Sequence, residues 1–108
     1  MSYQSINPYN GKLLKKFKEL TDQQLEAELK TATTFFETWK RKTYAERAAI
    51  VAKAAAIMHA RVDEFARLVT LEMGKLINEA RGEVKFSADI QEFVNKKLVR
   101  VASMDAPA

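Results

Sequence analysis

The sequence contains no cysteine. That single absence removes disulfides, thiolate metal sites and a cysteine nucleophile together. Histidine occurs once, as His59. With no strained nucleophile turn and no Gly-rich oxyanion loop beside it, a Ser-His-Asp relay has no basis. Only three glycines and two prolines punctuate the chain, and no segment is low-complexity or repeated at a period of about 20–50 residues. No apolar run approaches the roughly 18 residues that span a bilayer, so no membrane segment is expected. The opening "MSYQSINPYNGK" lacks a charged region followed by an apolar core. No secretory signal is visible there, and the expected compartment is the cytoplasm.

What is present is ordinary for a folded protein. The 108 residues bound the chain to one domain with a modest core. Apolar residues make up 47% and charged residues 30%, which argues against disorder along its length. The net charge is +4 and the isoelectric point 9.4. Acids nevertheless interleave with the bases, and the densest basic group is only Lys12, Lys15, Lys16 and Lys18. A nucleic-acid partner is not expected, because such binders concentrate their charge on one face.

The pattern predicts a mainly α chain: an N-terminal β-hairpin followed by about four helices. "SINPYNGKLL" surrounds a turn over Asn7 to Gly11 with Ile6 before it and Leu13, Leu14 and Phe17 after. Pro8 biases Asn7 toward extended backbone, and Gly11 can take a positive φ. Along Lys12 to Lys18 strict alternation would turn Leu13, Lys15 and Phe17 one way and Leu14, Lys16 and Lys18 the other. Thr21 with Gln24, and Thr43 with Glu46, form two capping boxes that open the first and second helices. Leu20 and Leu25 stand at the staple positions of the first. Its stripe is Leu25, Leu29, Ala32, Phe36 and Trp39, which makes Trp39 a core anchor.

The second helix is alanine-rich, with Ile50, Ala54, Ile57 and Met58 expected on its buried face. Its small residues would let a neighbour approach closely. A third helix, about Val62 to Met73, carries Phe65, Leu68, Val69 and Leu71 or Glu72, and Gly74 falls where a helix C-terminal glycine belongs. A fourth runs from about Leu76 into the nineties, with one stripe of Ile77, Ala80, Val84 and Ala88 and a second edge of Phe86, Ile90 and Phe93. Two apolar edges imply burial on more than one side.

The candidate sites test poorly. A phosphate loop around Gly74-Lys75 would need glycine at position 69 and serine or threonine at 76, where Val69 and Leu76 stand. Gly82 follows Gly74 by eight residues at helical spacing, which is no dinucleotide fingerprint. Glu72, Glu79 and Glu83 could suit acid/base chemistry only if their pKa values were split. Lys75 and Arg81 beside them read more simply as ion-pair partners. His59, near a helix end where a cation is favoured, has no cysteine or second histidine to share a metal with. No catalytic, cofactor-binding or metal-binding residue is therefore assigned.

The order of motifs adds what the residue types alone do not. "INPYNG" (Ile6 to Gly11) is followed by the stripe of Ala32, Thr33, Phe36 and Trp39, then "ERAAI" (Glu46 to Ile50), then "TLEMGKLINEARGEV" (Thr70 to Val84). Together these resemble the N-terminal region of the NAD(P)-dependent aldehyde dehydrogenase superfamily, in a flavour similar to its succinate-semialdehyde branch. The likeness spans residues 5 to 93, and Leu76 stands where the family usually has proline. Beyond Phe93 the sequence "VNKKLVRVASMDAPA" no longer resembles the family.

The resemblance implies that Gly74-Lys75 is a helix-to-helix junction. It implies a fold that is the helical edge of a cofactor domain without its Rossmann sheet, divided as hairpin 1–20, helical segment 21–98 and frayed tail 99–108. It further implies a parent that oxidises an aldehyde with NAD or NADP and assembles as a homo-oligomer. That parent's thiol nucleophile, glutamate base and asparagine oxyanion donor would lie in segments this chain lacks. The chain itself is then a truncated, inactive dehydrogenase. The alternative is a self-standing helical interaction module. In either case Leu13, Phe17, Phe86, Ile90 and Phe93 are expected to be exposed, offering faces for self-association or docking.

Overall fold

The computed structural model describes residues 3–104, and these form one hairpin and four helices. Strands β1 (Tyr3–Ile6) and β2 (Leu13–Phe17) pair antiparallel. Their connection is held by Asn7, whose N–H donates to the Lys12 carbonyl (2.9 Å) while its own carbonyl accepts from Gly11 (2.8 Å). The Asn7 and Asn10 side-chain oxygens accept from the N–H groups of Tyr9 and Lys12, each at 2.9 Å. Gly11 takes φ 68°, the left-handed value that the turn demands. Tyr3, Gln4 and Ser5 oppose Phe17, Lys16 and Lys15, but Ile6 then opposes Leu13. Leu14 is the extra residue of a β-bulge, so the strict alternation expected along β2 breaks there.

Helix α1 (Asp22–Trp39) begins at the predicted capping box. Gln24 N–H donates to Thr21 Oγ1 (3.2 Å) and Thr21 N–H to Gln24 Oε1 (3.0 Å). Its apolar stripe is real, yet no residue of α1 is buried. Leu29 is 60% exposed and Phe36 55%. Trp39 is half-buried, stacked on Phe35 at 6.0 Å between ring centroids, and so is not the core anchor that the spacing suggests. The stripe finds no cover among the described residues.

Helices α2 (Tyr44–Ala60), α3 (Val62–Met73) and α4 (Ile77–Met104) make the packed part. The second capping box closes as predicted. Thr43 N–H donates to Glu46 Oε2 (2.7 Å), and Glu46 N–H to Thr43 Oγ1 (3.2 Å). The bond from the Thr43 backbone holds the Glu46 carboxyl below its usual range. Arg61, at φ −117° and ψ 30°, separates α2 from α3. Its guanidinium then bonds Glu64 in the first turn of α3, with Nε to Oε2 at 2.7 Å.

Ala66 of α3 and Ala80 and Val84 of α4 form the core, flanked by Met58, Val62, Phe65 and Val69. Where α2 meets α4, Ala55 and Ala88 are fully buried. The expected close approach over small residues therefore occurs. The buried face of α2 is rotated from the expected one, however: Ala48, Val51, Ala55 and Met58 turn inward, while Ile50, Ala54 and Ile57 stay exposed. With alanine on nearly every side, the sequence offered little contrast to orient this helix. On α4 the predicted stripe of Ala80, Val84 and Ala88 is buried, whereas Ile77 lies at its margin. The helix also continues to Met104, well into the expected tail, because after Gly82 no glycine or proline stands in the sequence before Pro107. The remainder of that tail, 105–108, lies outside the described residues.

The result is a plate of 61 × 42 × 17 Å with a radius of gyration of 18.7 Å. A compact domain of about 100 residues has a radius near 13 Å. Accessible surface totals 9118 Å², where a compact monomer of 12.3 kDa shows roughly 6,100 Å². The excess is the size of a large protein interface.

Candidate functional site

The junction between α3 and α4 is the most constrained point of the fold. Gly74 takes φ 73° and its N–H donates to the Thr70 carbonyl at 3.0 Å, ending α3 in a left-handed cap. A Cβ at Gly74 would lie 3.1 Å from Pro8 Cγ. Two independent reasons thus require glycine here: backbone sign and the close approach of the hairpin. Ser5 Oγ donates to Glu72 Oε1 at 3.1 Å and pins the hairpin to the same end of α3.

Lys75 does not present its charge outward as a phosphate ligand would. Its Nζ lies 2.6 Å from Glu83 Oε2, and that hydrogen bond raises the Lys75 pKa above its ordinary value. Glu79 adds attraction from a distance. The three carboxylates considered for acid/base work are consequently split: Glu72 receives Ser5, Glu83 receives Lys75, and Glu79 joins neither pair. Arg81 Nε reaches Asp63 Oδ1 at 2.7 Å, tying α4 to the first turn of α3. Ion pairing is therefore the use of these charges, although Lys75 selects Glu83 over the nearer-in-sequence Glu79 and Glu72.

A second cluster was not legible in the sequence. His59 Nε2, at the end of α2, lies 3.1 Å from Asp89 Oδ1 and 3.7 Å from Glu92 Oε1 of α4. The spacing of Asp89 and Glu92, three apart on one helix face, was the only available signal. Which face met His59 depended on the α2–α4 register. Next to this cluster a cleft of 720 Å³ runs between the alanine-lined side of α2 (Ala45, Ala48, Ala49, Ala52) and the Asn95–Val99 stretch of α4. Asn95 Nδ2 crosses it to the Ala48 carbonyl at 3.3 Å. Of the basic group around β2, Lys15 is likewise engaged locally, its Nζ 5.3 Å from the centre of the Phe17 ring.

The aldehyde dehydrogenase family model matches residues 1–107. The chain belongs to the aldehyde dehydrogenase family. The match continues beyond Phe93, so the divergence expected there is corrected: the last turns of α4 lie within the family's pattern. The chain is 39% identical over 95 residues to a succinate-semialdehyde dehydrogenase [NADP(+)] of Deinococcus radiodurans, covering 88% of this chain and 20% of that protein. It is 36% identical over 87 residues to a malonate-semialdehyde dehydrogenase of Bacillus pumilus, covering 81% and 18%. A crystal structure of succinic semialdehyde dehydrogenase from Streptococcus pyogenes in complex with NADP+ superposes with a TM-score of 0.80 at 36% identity, over 88% of this chain and 21% of that one. The chain spans about a fifth of the length of the relatives it matches.

Proposed function

We propose that these residues are the structural opening of a cofactor domain in an NAD(P)-dependent semialdehyde dehydrogenase, and that they carry none of its chemistry themselves. The observation that carries this reading is the surplus of accessible surface on a chain of 12.3 kDa, with the stripe of α1 and the second edge of α4 laid bare. Phe86 and Phe93 are each 64% exposed, and Leu13, Phe17 and Ile90 are exposed as well. Apolar faces of this extent are built to be covered. The succinate- and malonate-semialdehyde names of the relatives support the substrate class.

The residues present do not fit a dinucleotide. The glycine that could have opened a phosphate turn, Gly74, is closed against Pro8, and the lysine after it is held by Glu83. The only sheet among the described residues is an antiparallel hairpin, without the parallel strands whose ends form a dinucleotide crevice. The absence of cysteine leaves no thiol to attack an aldehyde. In this reading Gly74, Ala55 and Ala88 act as scaffold, fixing the angles at which α3 and α4 meet the rest of the domain.

The test is direct. The purified 108-residue chain, given succinate or malonate semialdehyde with NAD+ or NADP+, is expected to form no reduced nicotinamide above a blank. Turnover that survives repurification would overturn the assignment. An interaction module is the second reading, favoured by the same bare faces. A monomer by light scattering that leaves the dye ANS dark would speak against it.

A further inference from the structure

We propose that His59, Asp89 and Glu92 form a binding site for a borderline divalent cation of the zinc type, which clamps the end of α2 to α4. The three donor atoms, one from each side chain, all lie within 4.8 Å of one another. Around a tetrahedral zinc with bonds near 2.1 Å, donor atoms sit about 3.4 Å apart. The observed separations from His59 Nε2, 3.1 Å to Asp89 and 3.7 Å to Glu92, straddle that spacing. Small side-chain movements suffice to admit the ion.

The imidazole separates this cluster from a patch of surface acids. It arrives from a different helix and is aimed at both carboxylates, and a neutral ring nitrogen beside two carboxylates is a donor set for zinc, nickel or cobalt. Magnesium and calcium prefer oxygen alone. The donors stand on the tightest seam of the molecule. Ala55, one helical turn before His59, and Ala88, adjacent to Asp89, are both fully buried. The side chains remain between 35% and 65% exposed, so an ion can enter and water can complete its shell.

A plain ion pair between His59 and the acids would look similar, and one substitution distinguishes the two. His59→Lys keeps a positive partner for Asp89 and Glu92 but removes the imidazole ligand. Calorimetric titration of the untagged chain with zinc chloride, read beside helicity by circular dichroism, is the experiment. With a single histidine and no cysteine in the sequence, no other imidazole or thiolate competes. Saturable 1:1 uptake is expected in the parent, with a higher melting temperature. Affinity should fall roughly tenfold or more in His59→Lys and in Asp89→Asn. Magnesium should produce no comparable heat. Should one variant lose helicity without metal, the other decides. No saturable uptake, equal uptake in the helical variants, or magnesium bound as tightly as zinc would each overturn the site.

Discussion

Ala55→Leu should largely unpack α2 from α4. Ala55 is fully inaccessible where the two helices meet, and the facing helix contributes Ala88, equally buried. Three additional carbons have no space there, and overpacking of this kind costs about 1–3 kcal/mol. In most domains that would be absorbed. Here the buried hydrophobic set among the described residues is only Ala55, Ala66, Ala80, Val84 and Ala88, so there is little hydrophobic stabilisation in reserve. The urea midpoint of helix loss should shift sharply downward. The neighbour Ala54, exposed on the same helix, supplies the control. Ala54→Leu should move stability by no more than about 0.5 kcal/mol. Equal effects at the two positions would contradict the observed rotation of α2.

The second large effect is expected at the α3–α4 junction. Gly74→Val places a β-branched residue at φ 73° and a Cβ 3.1 Å from Pro8 Cγ. The left-handed backbone alone costs about 1–2 kcal/mol for a residue with a side chain, and the contact with the proline ring adds to it. The hairpin should separate from α3, with faster hydrogen exchange in β1 and β2 as the readout. Gly82 provides the opposite sign. It lies inside α4, and a Cβ added there would meet nothing within 4 Å, so Gly82→Ala should stabilise the helix by up to about 1 kcal/mol. A neutral Gly74→Val would show that the junction is not strained in the way its geometry indicates.

Much of the architecture was legible because local chemistry decided it. Thr21 with Gln24 and Thr43 with Glu46 close their boxes within four residues, and Gly74 ends α3 through its own φ. Periodicity also located the buried stripe of α4, where Ala80, Val84 and Ala88 recur every four residues with the charged Arg81, Glu83 and Lys85 among the positions between them. It failed on α2, where alanine surrounds the helix and nothing marks Ala55 over Ala54. Trp39 misled for a different reason. Its stripe is genuine, but the surface that would cover α1 is not among the described residues. The His59 cluster depended on long-range register between α2 and α4, which no local pattern encodes. Leu14 was invisible as a bulge for the same reason, since only the partner strand reveals it.

The most direct test of the scaffold assignment is a graft. The segment of the Deinococcus radiodurans enzyme that matches this chain over 95 residues is replaced by the corresponding residues of this chain. The chimera is then assayed for NADP-dependent oxidation of succinate semialdehyde. Because the exposed faces of α1 and α4 are expected to find their covering surfaces in that host, a soluble chimera that retains the host's activity is predicted. A chimera that folds and assembles as the host does but has lost the reaction would contradict the assignment, since it would place part of the chemistry in the segment exchanged.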